Sequence, residues 1–308
     1  MSVDAFTKTV AVTGAGGFIG SAVTALLVER GITVRGLFGP PSEAARSPAL
    51  GGGLFGEVDD GALLDELVAD ADLVIHLAGP PSLAGSFAAP EHCARTHVVG
   101  TAAVVAAAQR AGVSRLVYIS SAEVYGAGAP RPVGEDNPPA PVSPYGAAKL
   151  GAEALIGAAV RSSRLQAVVL RPFSVFGPGM SSASVVMTIV RHALAGDPIA
   201  VADPRPVRDY CFVADVSEAV LAAGRCPLPG GLATCNVCTG LGTSVADLAR
   251  LACTVVGRDL RLQSRPGAQR PADILTLVGD CSRAASQLGW RPRVSLAEGL
   301  QRMVAVAP

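Results

Sequence analysis

Eight residues near the N-terminus, Thr13-Gly14-Ala15-Gly16-Gly17-Phe18-Ile19-Gly20, restrict this chain more than any other stretch. They follow a β-branched run, Thr9 to Thr13, and open a segment, Phe18 to Arg30, that carries Ile19, Val23, Leu26 and Leu27 on one helical side. Gly14, Gly17 and Gly20 give a G-x-x-G-x-x-G spacing. The first glycine lets the chain turn tightly out of a strand, the middle of the motif lets backbone approach a pyrophosphate, and the last glycine permits close helix–sheet packing. A helix start adds unpaired N–H groups and a partial positive charge. Such a turn between the first strand and first helix predicts an α/β fold that binds a dinucleotide.

The rest of the N-terminal half repeats the alternation. Thr33 to Phe38, Leu73 to Leu77, Leu116 to Ser120 and Ala167 to Arg171 read as strands, with helices over Gly61 to Val68, His97 to Ala111 and Tyr145 to Val160. Runs such as Leu73-Val74-Ile75 are apolar on both faces, as a parallel sheet covered on both sides requires. Ala127 to Pro144 is rich in Pro and Gly and reads as loop. These features predict a doubly wound parallel (Rossmann) sheet over residues 1–172. Residues 173–308 are read as a smaller substrate-binding lobe, with helices near Val185 to Ala195, Val213 to Gly224 and Val245 to Val256. Leu232 to Cys238 is read as a strand returning to the main sheet.

Composition narrows the function. The 308 residues carry 25 basic and 25 acidic side chains, so no charge excess points to nucleic acid or an anionic membrane surface. The longest nearly apolar run, Val98 to Ala108, is too short to span a bilayer, and no signal peptide is read at the start. Seven scattered cysteines fit a reducing cytoplasm. The four histidines, His76, His92, His97 and His192, are dispersed, so no metal site is expected. Cys235 and Cys238 lack the second pair that a zinc site wants and are read as buried packing.

The end of the second strand bears on the cofactor. NAD usually finds an acid there for its ribose hydroxyls. Here the segment is Phe38-Gly39-Pro40-Pro41, with no acid before Glu43, and Arg35 and Arg46 lie near without standing at the strand end. NAD is expected, and NADP stays open.

A second constellation lies downstream. The fourth predicted strand runs into Ser120-Ser121-Ala122-Glu123-Val124-Tyr125-Gly126, and after the Pro-rich loop come Tyr145 and Lys149. Four residues apart at a helix start, these two share a face. With the glycine turn, His76-Leu77-Ala78-Gly79, Gly100-Thr101, Leu170 to Gly179, Arg208-Asp209-Tyr210 and Leu288 to Pro292, the chain resembles the extended short-chain dehydrogenase/reductases. Within them it is most similar to the NAD-dependent epimerase/dehydratases that act on nucleotide sugars.

The resemblance implies a cofactor site of Gly14, Gly17, Phe18, Ile19, Gly20, Val58, Leu77, Ala78, Gly79, Tyr145, Lys149 and Pro172. It makes Tyr145 the acid/base, Lys149 its electrostatic tuner and ribose ligand, and Ser121 the hydroxyl between Tyr145 and the sugar, with Ser120 as the neighbouring candidate. A phenol with pKa about 10 needs help to act as base at neutral pH, and a nearby ammonium favours the phenolate. The resemblance makes Arg208 and Arg270 a diphosphate clamp, because guanidinium forks match phosphate oxygens. A salt bridge from Arg208 to Asp209 or Asp215 is the alternative. Ser82, Ser86 and Ser174 are expected at the substrate, with Ser174 standing where relatives carry Asn. His97 occupies another common Asn position and is read as bracing the active-site strand.

Glu123 decides between reactions. The family's 4,6-dehydratases carry Thr-Asp-Glu where this chain has Ser121-Ala122-Glu123. The missing Asp speaks against a standard dehydratase, and the family's uronate decarboxylases fit the triplet better. The first expectation is hydride transfer at C4 of a dTDP- or UDP-hexose, by a 4-epimerase or 4-ketoreductase. The second is a UDP-uronate decarboxylase or atypical dehydratase using Glu123. A non-catalytic cofactor-binding sensor is the third. A homodimer through the helices at 97–111 and 145–160 is implied by resemblance.

Overall fold

The computed structural model describes residues 8–39, 53–80, 82–127, 132–264 and 274–306. The N-terminal half forms β1 (Thr9–Thr13), β2 (Thr33–Phe38), β3 (Leu54–Phe55), β4 (Leu73–His76), β5 (Arg115–Ile119) and β6 (Gln166–Pro172). The C-terminal half adds β7 (Ser174–Phe176), β8 (Ile199–Val201), β9 (Val207–Phe212), β10 (Leu232–Val237), β11 (Gly242–Ser244), β12 (Leu262–Ser264) and β13 (Thr276–Leu277). The central sheet has the order β10-β6-β5-β4-β1-β2-β3, and its pairings are parallel.

Helices cover both faces, and the side chains of β1 show why. Val10 and Val12 pack with Val23 and Leu27 of α1 (Phe18–Glu29) and with Val216 and Val220 of α8 (Val213–Arg225). Ala11 faces the other way, toward Leu64 and Leu67 of α2 (Gly61–Val68), Val104 of α5 (Gly100–Arg110) and Ile156 of α6 (Pro144–Ser162). Successive strand residues point to opposite faces, so a strand buried between two layers must be apolar throughout. The chain order reverses at β1, between β2 and β4. The crevice beyond the carboxyl ends of these strands is where doubly wound sheets bind ligands.

The returning strand falls where the sequence placed it, with Leu232 to Val237 paired to Ala167 to Pro172. The C-terminal half lends more than that strand: α8 and Trp290 complete the core under β1. Its own core gathers Phe176, Tyr210 and Phe212 with α7 (Val185–Ala195), α9 (Val245–Val256) and α11 (Leu296–Ala305). One expected boundary differs. The helix read from His97 begins upstream as α4 (Pro90–Ala94), passes through a π-helical turn over Arg95–Val99, and only then becomes α5. Pro at the first position of α4 starts the helix early.

Candidate active site

The glycine turn forms a cradle. The amides of Gly14 and Ala15 donate to the Leu37 carbonyl at 2.9 and 3.1 Å, which draws the turn against β2. Gly14 has φ of 70°, and a Cβ there would lie 2.8 Å from the Ala78 amide nitrogen. A Cβ on Gly20 would lie 2.0 Å from the Gly14 carbonyl oxygen. No side chain caps α1, so its first N–H groups and its dipole are available to an anion. A bare, side-chain-free helix start at the switch point fits a dinucleotide pyrophosphate.

A buried hydrogen-bond chain fixes the neighbouring strand end. The Thr101 hydroxyl donates to the His97 carbonyl at 2.5 Å and so accepts from His76 Nε2 at 2.9 Å. Nδ1 of His76 is then an acceptor, bonded at 2.7 Å by the Thr13 hydroxyl, which itself accepts from the Leu77 and Ala78 amides. Burial, aided by the nearby Lys149 cation, pulls His76 down to about 3, so it stays neutral as this pattern requires. Leu77 and Ala78 are thus pinned at the end of β4. Val58 packs on Gly100, and Pro172 ends β6 in the core.

Ser121, Tyr145 and Lys149 come together. Ser121 starts a short 3-10 turn after β5, and its Oγ accepts from the Glu123 amide at 3.2 Å. Ser143 caps α6 through the Gly146 amide at 3.1 Å, with Pro144 in the first turn, so the helix begins just before Tyr145. The Ser121 side chain stands by the Tyr145 phenol and favours its ionised form. Lys149 is buried, donates from Nζ to the Ile119 carbonyl at 2.7 Å, and stands 5.9 Å from the centre of the Tyr145 ring.

The electrostatics differ from a simple ammonium–phenol pairing. Desolvation holds the Tyr145 phenol up at about 12, opposed by the Ser121 side chain and reinforced by the Glu123 charge. Burial pulls Lys149 down to about 7, opposed by Cys93 and Glu153. The protein by itself therefore keeps the proton on the phenol.

The structure separates the two serines. The Ser120 hydroxyl donates to Glu153 at 2.5 Å, whereas Ser121 meets Tyr145. Glu153 was not singled out from the sequence, although its spacing of eight from Tyr145 places it on the same helical face. His97 packs edge-on to the Tyr145 ring at 5.4 Å, and its Nε2 meets the Pro80 carbonyl at 3.2 Å. Burial pulls it down to about 3, so it is a neutral brace to the segment after β4. Glu123 is half-buried in the turn beside Tyr145.

The substrate side is less uniform. Ser174 is half-buried at the start of β7, and Arg208 is half-buried on β9. The alternative partners of Arg208 are engaged elsewhere. Asp209 accepts from the Thr239 and Gly240 amides at 2.8 Å each, and Asp215 accepts from the Arg293 and Val294 amides. Ser82 instead caps α3 (Leu83–Ala88) through the Gly85 amide, and the buried Ser86 hydroxyl donates to the Leu83 carbonyl at 2.7 Å. Arg270, Glu43 and Arg46 lie outside the described residues. Arg35 donates to the Ala69 carbonyl just before β4, at the sheet end opposite the glycine turn. Cys235 and Cys238 are buried. Among the described residues no cluster of His, Cys, Asp and Glu could hold a metal ion, and no helix is long and apolar enough to cross a membrane.

Known proteins are similar to this chain in sequence and fold. UDP-glucose 4-epimerase of Azospirillum brasilense is 32% identical over 95% of this chain and 90% of its own length. The solved UDP-glucose 4-epimerase of Thermotoga maritima, with UDP-glucose, superimposes with a TM-score of 0.87 at 30% identity, covering 96% of this chain and 97% of that one. MoeE5 in complex with UDP-glucuronic acid and NAD gives a TM-score of 0.86 at 30% identity, covering 97% and 98%. The family model for NAD dependent epimerases and dehydratases matches residues 10–231, from β1 through the Rossmann sheet and on to the turn before its returning strand, and the chain belongs to that family.

Proposed function

We propose that this protein is an NAD-dependent 4-epimerase of a UDP- or dTDP-hexose, with Tyr145 as the acid/base. One observation carries the reading: a phenol, with the Ser121 side chain beside it and the buried Lys149 behind it, stands at the carboxyl end of β5 beside the pyrophosphate cradle. When bound, NAD supplies a hydride acceptor whose cationic ring joins the Lys149 ammonium in lowering the phenol's proton affinity. Tyr145 then takes the proton from the C4 hydroxyl and later returns it. Ser121 orients that hydroxyl by hydrogen bonding both it and the phenol. Arg208, with Arg270, clamps the diphosphate. The neutral His97 keeps a second cation away from the phenol and braces its ring.

A second reading rests on Glu123, whose carboxylate acts on the same phenol. As a base or acid next to Tyr145 it suits decarboxylation of a nucleotide-linked uronate, or loss of water. A panel of UDP- and dTDP-hexoses and uronates, with products resolved by mass and NMR, separates these outcomes. An epimer keeps the substrate mass, and the other products do not. Tyr145→Phe is expected to lower kcat about 10²- to 10⁴-fold on the active substrate. Unchanged turnover in that variant removes Tyr145 from the chemistry.

A further inference from the structure

The helix that carries Tyr145 and Lys149 holds a third residue on the same face. Glu153 follows Lys149 by four positions, as Lys149 follows Tyr145, so the three stand one above another along α6. Each grips one residue of a continuous stretch at the end of β5. Tyr145 meets the Ser121 side chain, Lys149 meets the Ile119 carbonyl at 2.7 Å, and Glu153 meets the Ser120 hydroxyl at 2.5 Å.

The Glu153 carboxylate is buried and fully used. Arg171 of β6 donates to it from Nε at 3.0 Å and from Nη2 at 2.6 Å, a two-pronged pair with both side chains under one-tenth exposed. The Arg171 guanidinium also lies 4.9 Å over the ring of Tyr125, at the far end of the turn that Ser121 begins. The pair therefore holds that turn from both sides, through Ser120 before it and Tyr125 after it.

We propose that Glu153 is a positioning residue of the active site: through Ser120 and Arg171 it fixes the turn bearing Ser121 at the height on α6 where Tyr145 meets it. The carboxylate has a second effect. Facing Lys149 are His76 of β4, Cys93 of α4, His97 of the π-helical turn, Tyr118 of β5, and Tyr145 and Glu153 of α6. Among these Glu153 is the carboxylate, and its charge favours the ammonium form. This inference rests on the proposed role of Tyr145, and its test is built to fail separately from that role.

The sequence contains two lysines, Lys8 and Lys149. Lysine labelled with ¹³C at Cε therefore gives two resonances, and the titration of Lys149 is read directly without substrate. In Glu153→Gln the Lys149 midpoint is expected to fall by about one pH unit. A folded variant with an unmoved Lys149 midpoint overturns the electrostatic part.

Ser120→Ala leaves the buried ion pair intact and removes only the grip on β5. Its kcat on the preferred nucleotide sugar is expected to fall roughly 10- to 100-fold, the penalty of a misplaced reacting group, with KM little changed. Ser120→Thr, which keeps the hydroxyl, is expected to restore most of that loss. Wild-type kcat in Ser120→Ala, or equal losses in the Ala and Thr variants, overturns the positioning role. Absence of turnover in the wild type on every nucleotide sugar refutes the proposed function instead, and the titration still judges Glu153.

Discussion

Replacing Lys149 by methionine is expected to stabilise the cofactor-free protein near pH 6 while abolishing its activity. Lys149 is 3% exposed, and burial pulls its pKa from 10.5 to about 7. Between these two values the unfolded chain binds a proton that the folded chain does not, so stability rises with pH across this window. Below about pH 7 both states carry the charge and the folded protein bears the full penalty of burying it. At 1.36 kcal/mol per pKa unit, the penalty relieved between roughly pH 6 and roughly pH 10 is about 4 kcal/mol. Methionine has a similar length and no charge, so its variant lacks this pH dependence. The substitution also orphans the Ile119 carbonyl, which costs about 1–3 kcal/mol at any pH. Near pH 6 the variant should therefore be the more stable by about 1–3 kcal/mol, and near pH 10 it should be the less stable. Urea unfolding of both proteins at the two pH values, with equal m-values required, measures this directly. The difference between the proteins isolates Lys149 from every other titrating group. A stability difference that does not change with pH would refute the claim that the lysine is held desolvated.

Two further outcomes follow from geometry. Gly20→Ala places a methyl group against the Gly14 carbonyl oxygen, so the cradle must shift. The expected loss is about 1–3 kcal/mol of stability together with weakened NAD affinity, read by urea unfolding and by cofactor titration. Arg208→Ala removes the guanidinium proposed to hold the diphosphate. Sugar-nucleotide affinity should fall by about 1.5–3 kcal/mol, the worth of a hydrogen bond to a charged group, in isothermal titration. Full retention of affinity removes Arg208 from the clamp.

Local chemistry made much of this protein legible without coordinates. The β-branched strands and the glycine turn act over a few residues, so their sequence and their structure carry the same information. That is why the β1–turn–α1 unit, the returning β10 and the shared face of Tyr145 and Lys149 stand where the sequence put them. The π-helical turn was not legible, because a single extra residue per turn leaves almost no trace in apolar spacing.

Contacts distant in sequence were decided by the tertiary structure alone. The two adjacent serines are alike in sequence. Only the arrival of Glu153 from α6, 33 residues on, takes Ser120 away from the phenol and leaves Ser121 beside it. Ser82 accepts from the Gly85 amide and Ser86 donates to the Leu83 carbonyl, bonds within their own short helix that the sequence did not announce. The proton affinities of Tyr145 and Lys149 likewise depend on how completely the folded chain excludes water, a property of the assembled layers. Short-range order thus settled which elements form and which residues face the crevice, and packing settled what each polar atom is bonded to there.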